Sequence, residues 1–110
     1  MKLRLEENTL RLRLLPAEVE AFRQAGRLET VVSLGPAAAN QLRYTLLRDE
    51  AASSSAPSVS YTAGQVLVHL PAPLADAWTS SAEISLRGTM PVVDNQVLHI
   101  LVEKDLGCKH

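Results

Sequence analysis

The sequence predicts an α+β fold made of two ββαββ repeats, one in residues 1–55 and the other in residues 56–110. When the chain is shifted by 56 positions, the apolar, turn and helix-start signals of its first half align with those of its second half. Both halves show two alternating strand patterns, then a helix, then two more strands. We therefore expect a mainly antiparallel sheet that curls toward a barrel, carries two helices and has pseudo-twofold symmetry.

Length and composition favour one domain that spans residues 1–110. The chain is 46% hydrophobic and 21% charged, which is an ordinary globular balance. Its formal net charge is −1, so no strong overall field attracts nucleic acid or anionic membranes. Identities between the halves are few, and the repeat prediction therefore depends on matched residue class and on the order of elements.

The first half is predicted to contain a hairpin, a helix and a second pair of strands. The alternating segments are residues 2–5, 9–14 and 41–48, and residues 28–34 are a strand rich in β-branched residues. Between the two pairs, residues 16–26 begin with proline and end with glycine, as is typical of a helix of about three turns. Leu15, Val19 and Phe22 form the apolar stripe that we expect to pack on the sheet.

The second half repeats this order after a small polar linker at residues 50–57. Its predicted strands are residues 58–62, 65–70, 83–87 and 96–103. A shorter helix is expected from about residue 73 to residue 80. Its Trp78 takes the place that Phe22 takes in the first helix, and we expect both aromatic rings to anchor the core.

Two strands of the second half are apolar on both faces, which is typical of central strands or of strands covered by a partner. We expect a homodimer through this second-half sheet surface. The residues assigned to it are Leu67, His69, Val97, His99 and Leu101.

A set of basic residues on outward strand positions is the first candidate for a binding site, because these residues could bind anions together. They are Lys2, Arg4, Arg11, Arg13 and Arg43. The alternative is a solvated strand face that keeps the protein soluble and protects the sheet edge. Tyr44 and Tyr61 fall on the inward phase, so no stacking platform accompanies the cations and the pattern does not favour nucleic acid.

A second candidate is the pair Cys108 and His110 near the end of the chain, with His69 and His99 as further ligands for a metal. Structural zinc sites use four ligands, usually as two spaced pairs, and only one such pair exists here. The same thiol could be reactive, or it could have no role. The sequence therefore predicts no metal and no cofactor.

Carboxylates near the strand ends are a third candidate, since a pair of them could serve acid–base chemistry. They are Asp49, Asp94, Glu103 and Asp105. The alternative is that they are solvated ends of strands. Because the chain has no dinucleotide fingerprint, no P-loop and no serine elbow motif, the sequence favours a protein without enzymatic activity.

The chain has one cysteine, no apolar signal core at its start and no apolar run of the length that spans a bilayer. These features predict a soluble cytoplasmic protein that does not associate with membranes.

The two ends of the chain resemble a known family. Residues 1–14, the segment Glu18–Glu20 and residues 98–105 with Cys108 are similar to a family of small uncharacterised bacterial proteins. The resemblance implies a bacterial cytoplasmic protein. The family has no assigned activity, so it implies no site residues.

The sequence thus favours a small non-enzymatic module that binds a ligand or a protein partner, with the ligand unidentified. One alternative is an anion or nucleic-acid binder that uses the basic residues. The other is an enzyme or metal-binding protein that uses the histidines, the cysteine and nearby acidic residues.

Overall fold

The structure is a computed structural model and describes residues 1–52 and 54–106. Within these residues the strands are β1 (Lys2–Glu6), β2 (Thr9–Leu14), β3 (Arg27–Ser33), β4 (Gln41–Asp49), β5 (Ser58–Thr62), β6 (Gln65–Pro71), β7 (Ser85–Pro91) and β8 (Val97–Lys104). The helices are α1 (Pro16–Ala25) and α2 (Ala72–Thr79). Both helices of this described part are too short to span a bilayer.

The strands form two four-stranded sheets, and each sheet takes two strands from each half of the chain. The first sheet has the order β1-β2-β8-β7 and the second has the order β3-β4-β6-β5. The central pairs β2–β8 and β4–β6 are parallel, while the other pairs are antiparallel. The α+β prediction is confirmed. The expected curl toward a barrel is not observed, because each sheet ends in two unpaired edge strands and the sheets do not close.

The two strand orders are related by exchanging the halves of the chain. Replacing β1, β2, β8 and β7 by β5, β6, β4 and β3 converts the first sheet into the second. Matching backbone hydrogen bonds accompany this order: the His99 amide donates to the Asn8 carbonyl at 2.7 Å, and the Arg43 amide donates to the Gly64 carbonyl at 2.8 Å. An origin of the halves by duplication stays a prediction.

One cluster of buried side chains joins both sheets and both helices. Its fully buried members include Leu12 and Val102 of the first sheet and Leu46 of the second. Phe22 of α1 and Trp78 of α2 meet edge to face, with ring centroids 6.5 Å apart and an interplanar angle of 62°. This is a favoured arrangement of aromatic rings. Both rings are therefore core anchors, as expected.

Helix α1 has the start and end signals that its sequence predicts. The proline at its first position has no amide to leave unpaired, and the Glu18 carboxylate accepts a hydrogen bond from the Leu15 amide at 2.8 Å. Gly26 ends the helix with a φ of 71°, a conformation that residues with a Cβ seldom adopt. Val19 and Phe22 are buried, but Leu15 is 49% exposed. The prediction for Leu15 is wrong because this residue precedes the first helical turn.

Helix α2 and strand β7 differ from their predicted bounds. The helix begins at residue 72, and β7 runs to residue 91, into the segment that was expected to be a loop. The end of the 50–57 linker packs against this strand. Pro57 is buried, and a Cβ on Gly88 would lie 2.8 Å from the Pro57 carbonyl oxygen, so a glycine is required at this close approach.

Tyr61 lies on the inward side of its strand as predicted, opposite the buried Val66, but its ring is not buried. Tyr61 is 65% exposed, whereas Tyr44 is buried. Tyr44 lies on the central strand β4, and its hydroxyl donates to the Met1 carbonyl at 2.8 Å. Tyr61 lies on the edge strand β5, where the alternation fixes the side of the sheet but no neighbouring element covers the ring.

Candidate functional site

The outer face of the first sheet gathers basic side chains. The register places Lys2 beside Arg13 and Arg4 beside Arg11, and the row through Arg11 continues across Leu101 to Arg87. We call these five residues, Lys2, Arg4, Arg11, Arg13 and Arg87, the basic face. Glu6 and Glu103 are the acidic residues on the same outward positions of the described strands, so cations dominate here although the chain has a net charge of −1.

Glu103 organises the centre of the basic face. Its Oε1 lies 2.7 Å from Arg11 Nη2 and 2.8 Å from Arg13 Nη2, and the residue is only 9% exposed. Burial by itself would raise the pKa of Glu103, but the hydrogen bonds from Arg13 and Arg11 outweigh burial and hold the pKa below its ordinary value. One carboxylate therefore orients two guanidinium groups, and the charge of Asp105, just after β8, also acts on Arg13.

The remaining cations of the basic face are less constrained. Arg4 pairs with Glu6 at 3.2 Å, and the Arg4 side chain is 62% exposed. Arg87 and Lys2 form no ion pair within the described residues, and the charge of Lys2 helps to lower the pKa of Glu18. A shallow depression of about 190 Å³ opens between Lys2, Arg4, Arg11 and Arg13. Such a volume is small for a drug-sized molecule but suits a single acidic side chain.

Arg43 does not belong to this surface. It lies on β4 in the second sheet, where its Nη1 is 3.5 Å from Glu29 Oε1. The expectation that Arg43 shares a face with the other four cations is wrong, because the second hairpin of the first half pairs with the other sheet. Arg87, which the sequence analysis did not select, takes a place beside them because β7 and β8 join the first sheet.

The outer face of the second sheet carries a different cluster, formed by Ser60, His69 and Asp49. Ser60 Oγ lies 2.9 Å from His69 Nε2, and His69 Nδ1 lies 3.1 Å from Asp49 Oδ2. A carboxylate only accepts hydrogen bonds, so in the neutral ring Nδ1 carries the proton and Nε2 accepts from the Ser60 hydroxyl. We call this arrangement the Ser60–His69–Asp49 cluster.

Three neighbouring strands position the cluster. His69 lies on the central strand β6, Ser60 lies on the edge strand β5, and Asp49 ends β4 on the other side of β6. The cluster borders an open, shallow cleft of about 360 Å³. The other residues that line the cleft are mostly small: Ala51, Ala52, Ser54, Ser58 and Val59.

Sequence reasoning considered His69 and Asp49 separately and missed Ser60. The signal was partly present, because the alternation places Ser60 and His69 on the same side of one hairpin. Asp49 joins them only through the parallel pairing of β4 with β6, which connects the two halves of the chain.

The histidines expected to share a metal are separated. His69 is in the second sheet, and His99 is on β8 in the first sheet. Cys108 and His110 lie outside the described residues. Within residues 1–52 and 54–106, no three His, Cys, Asp or Glu side chains are grouped so as to hold a metal ion.

The surface predicted for a homodimer is likewise divided. Leu67 and His69 are on β6 of the second sheet, whereas Val97, His99 and Leu101 are on β8 of the first. The expectation of one second-half sheet surface is wrong, because strands of the second half pair with strands of the first. Dimerisation itself stays a prediction.

The carboxylates considered for acid–base chemistry are also dispersed. Asp49 belongs to the Ser60–His69–Asp49 cluster, and Glu103 is paired with two arginines in the other sheet. Asp94 lies in the turn between β7 and β8 with a φ of 58°. The fourth, Asp105, follows the end of β8, where its amide donates to the Leu14 carbonyl at 2.7 Å. Asp49, Asp94 and Glu103 are thus not brought together in one cleft.

Fold and surface together define a class: an α+β protein of two mixed four-stranded sheets, with a cationic outer face on one sheet and a hydroxyl–imidazole–carboxylate cluster on the other. A family model described as "Family of unknown function (DUF7009)" matches residues 1–110, and the chain belongs to that family. This confirms the predicted resemblance to an uncharacterised family. No curated protein and no solved structure matches the chain.

Proposed function

We propose that this protein is a binding module whose basic face takes an acidic segment of a partner protein. The observation that supports the proposal most strongly is the concentration of five cations against two carboxylates on one sheet face of a chain whose net charge is −1. Long-range attraction of this kind increases association rates and selects acidic partners.

The spacing of the cations supports an extended peptide as the ligand. Arg11 and Arg13 are two residues apart on β2, so their Cα atoms are about 7 Å apart along the strand. Acidic side chains at alternate positions of an extended peptide have the same spacing. Both guanidinium groups direct Nε and Nη2 at Glu103, so the edge formed by Nη1 and Nη2 is the one that can bind a ligand carboxylate with two parallel hydrogen bonds.

The shape of the face also favours an acidic peptide over single-stranded nucleic acid. Its described outward positions carry no Phe, Tyr or Trp side chain on which bases could stack. The depression bordered by Lys2, Arg4, Arg11 and Arg13 accommodates one side chain, and β1 beside it is an edge strand that could pair with an added strand.

Titration of the protein with a fluorescent poly-glutamate peptide at low ionic strength tests this proposal. The informative variant is Arg4→Gln/Arg87→Gln, which removes two exposed cations and leaves the Glu103 pairs intact. Its matched control is Arg27→Gln/Arg43→Gln, which makes the same charge change on the second sheet.

We expect the first double variant to bind about tenfold more weakly, which corresponds to about 1.4 kcal/mol, and the control to bind as the parent does. Equal weakening in both variants would show that only net charge matters and would reject the site. Duplex DNA serves as a competing ligand. If the parent protein binds DNA more tightly than the peptide, and Arg4→Gln/Arg87→Gln loses DNA binding, an acidic protein segment is rejected as the ligand.

A further inference from the structure

We infer that the Ser60–His69–Asp49 cluster is a nucleophilic site that cleaves esters of short acyl groups. This inference goes beyond the binding role proposed above and concerns the opposite sheet, so either proposal can fail without the other. It also departs from the expectation of a protein without enzymatic activity, because the structure joins three residues that the sequence holds apart.

The connectivity of the cluster is the one that serine nucleophiles use. The hydroxyl faces Nε2 and the carboxylate faces Nδ1 of the same ring, at 2.9 Å and 3.1 Å. A base in hydrogen-bond contact with the nucleophile, itself oriented by a third group, is the general signature of an activated serine. The geometry recurs on unrelated folds, so neither a particular fold nor a sequence motif is needed.

Exposure is distributed as such a site requires. The side chains of His69 and Asp49 are only 21% and 24% exposed, so the base and its orienting carboxylate are largely shielded from solvent. Ser60 is exposed at the end of the chain of hydrogen bonds. The nucleophile is therefore the member of the cluster that a substrate can reach.

The cleft beside Ser60 limits the substrate. Its volume of about 360 Å³ is at the small end of the range for ligand sites. Ala51 and Ala52 give it short apolar walls, which fit a short acyl chain. Ser58 lines the same cleft opposite His69 in the strand register and is a further hydroxyl available to hydrogen-bond the acyl oxygen.

The proposed reaction has two steps. In the first, Ser60 Oγ attacks the ester carbonyl carbon while His69 Nε2 takes the hydroxyl proton, the carbon–oxygen bond to the leaving alcohol breaks, and His69 returns the proton to that alcohol. In the second, water attacks the acyl-serine, gives one proton to His69, and releases the carboxylic acid as Ser60 Oγ regains that proton. Asp49 stabilises the imidazolium and keeps the ring oriented in both steps.

The same hydrogen bonds could instead serve only to hold the edge strand β5 in place, and the experiment separates the two roles. The protein is treated with a fluorophosphonate probe and the labelled residue is located by mass spectrometry. In parallel, the rate of 4-nitrophenyl acetate hydrolysis is measured for the parent and four variants.

The variants are Ser60→Ala, His69→Gln, Asp49→Asn and, as the matched control, Thr62→Ala. Thr62 is an exposed hydroxyl on the same face of β5, but its neighbour in the register is Gln65 rather than a histidine. Circular dichroism spectra of all variants establish that they are folded.

We expect the probe on Ser60, no label in Ser60→Ala and hydrolysis about 100-fold slower in His69→Gln, since a positioned base contributes about 10²–10⁴ in rate. We also expect slower hydrolysis in Asp49→Asn and unchanged label and rate in Thr62→Ala. Folded Ser60→Ala that hydrolyses the ester at the parental rate, or labelling spread over other hydroxyls, would overturn the assignment and leave the cluster a structural one.

Discussion

The two sheets of this protein have interchangeable strand orders and share one core, but their outer faces differ in chemistry. The central strands β2 and β8 of the first sheet present Arg11, Arg13 and Glu103 outward. The central strands β6 and β4 of the second present His69 and Leu47. Packing restricts the residues of the shared core to apolar side chains, whereas the outward residues are free to differ. The difference between the faces is therefore where function is to be sought.

The largest expected effect tests whether the sheets depend on one core. Trp78→Ala should lower the free energy of unfolding by about 3–5 kcal/mol, because it removes a fully buried ring and leaves a cavity against Phe22. Urea unfolding followed by circular dichroism measures this loss. A loss below about 1 kcal/mol, or separate transitions for the two sheets, would contradict a shared core.

The next effect concerns the carboxylate that distinguishes the first face. Glu103→Gln should lower the free energy of unfolding by about 1–3 kcal/mol, because it weakens the hydrogen bonds that Arg11 and Arg13 donate to a buried acceptor. The same change removes a negative charge from the basic face, so binding of poly-glutamate should become tighter. If Glu103→Gln lowers both the free energy of unfolding and the affinity for poly-glutamate, the Glu103 carboxylate orients the binding surface and does not compete with the ligand.

The pH dependence of stability sharpens this point. The pKa of Glu103 is lower in the folded protein than in the unfolded chain, where the pKa of a glutamate is about 4.3. Its contribution to stability is therefore complete above that pH and is lost as the pH falls through the lowered folded value. Urea unfolding between pH 7 and pH 3 should show a smaller decline in Glu103→Gln than in the parent. Parallel pH curves would mean that Glu103 has the same pKa in both states.

The smallest effect compares the two tyrosines. Tyr44→Phe should cost about 1 kcal/mol, because it removes a hydrogen bond from a buried hydroxyl to the Met1 carbonyl. Tyr61→Phe should change stability by less than about 0.5 kcal/mol, because Tyr61 is exposed on an edge strand. Thermal unfolding of the two variants side by side provides the measurement. Equal losses would show that β5 packs more tightly than its exposure indicates.

Much of the fold could be predicted because its signals are local. Alternation identified the strands, and proline and glycine placed the ends of α1. The inward phase was right for Leu12, Leu46 and Val102, which lie on central strands. It was also right for Tyr61, which lies opposite the buried Val66, but this ring is exposed because an alternating pattern shows which side of a strand is apolar, not whether another element covers it.

The sites were less accessible to prediction for the same reason. Lys2, Arg4, Arg11 and Arg13 belong to one hairpin, so local alternation was enough to place them on one face. Arg43 was misplaced, since the partner of its strand is chosen by contacts distant in sequence.

By itself the sequence determined the type and order of the elements, the apolar face of each strand and the aromatic anchor of each helix, since all of these follow from residue periodicity and backbone preferences over a few positions. The tertiary structure alone decided that the halves exchange hairpins between two sheets, that Arg87 joins the basic face and that Asp49 meets His69 beside Ser60. These neighbours are set by pairing between strands that are distant in sequence. Such pairing is stabilised by burial of the apolar faces of both sheets in one core, and no local pattern encodes the choice of partner.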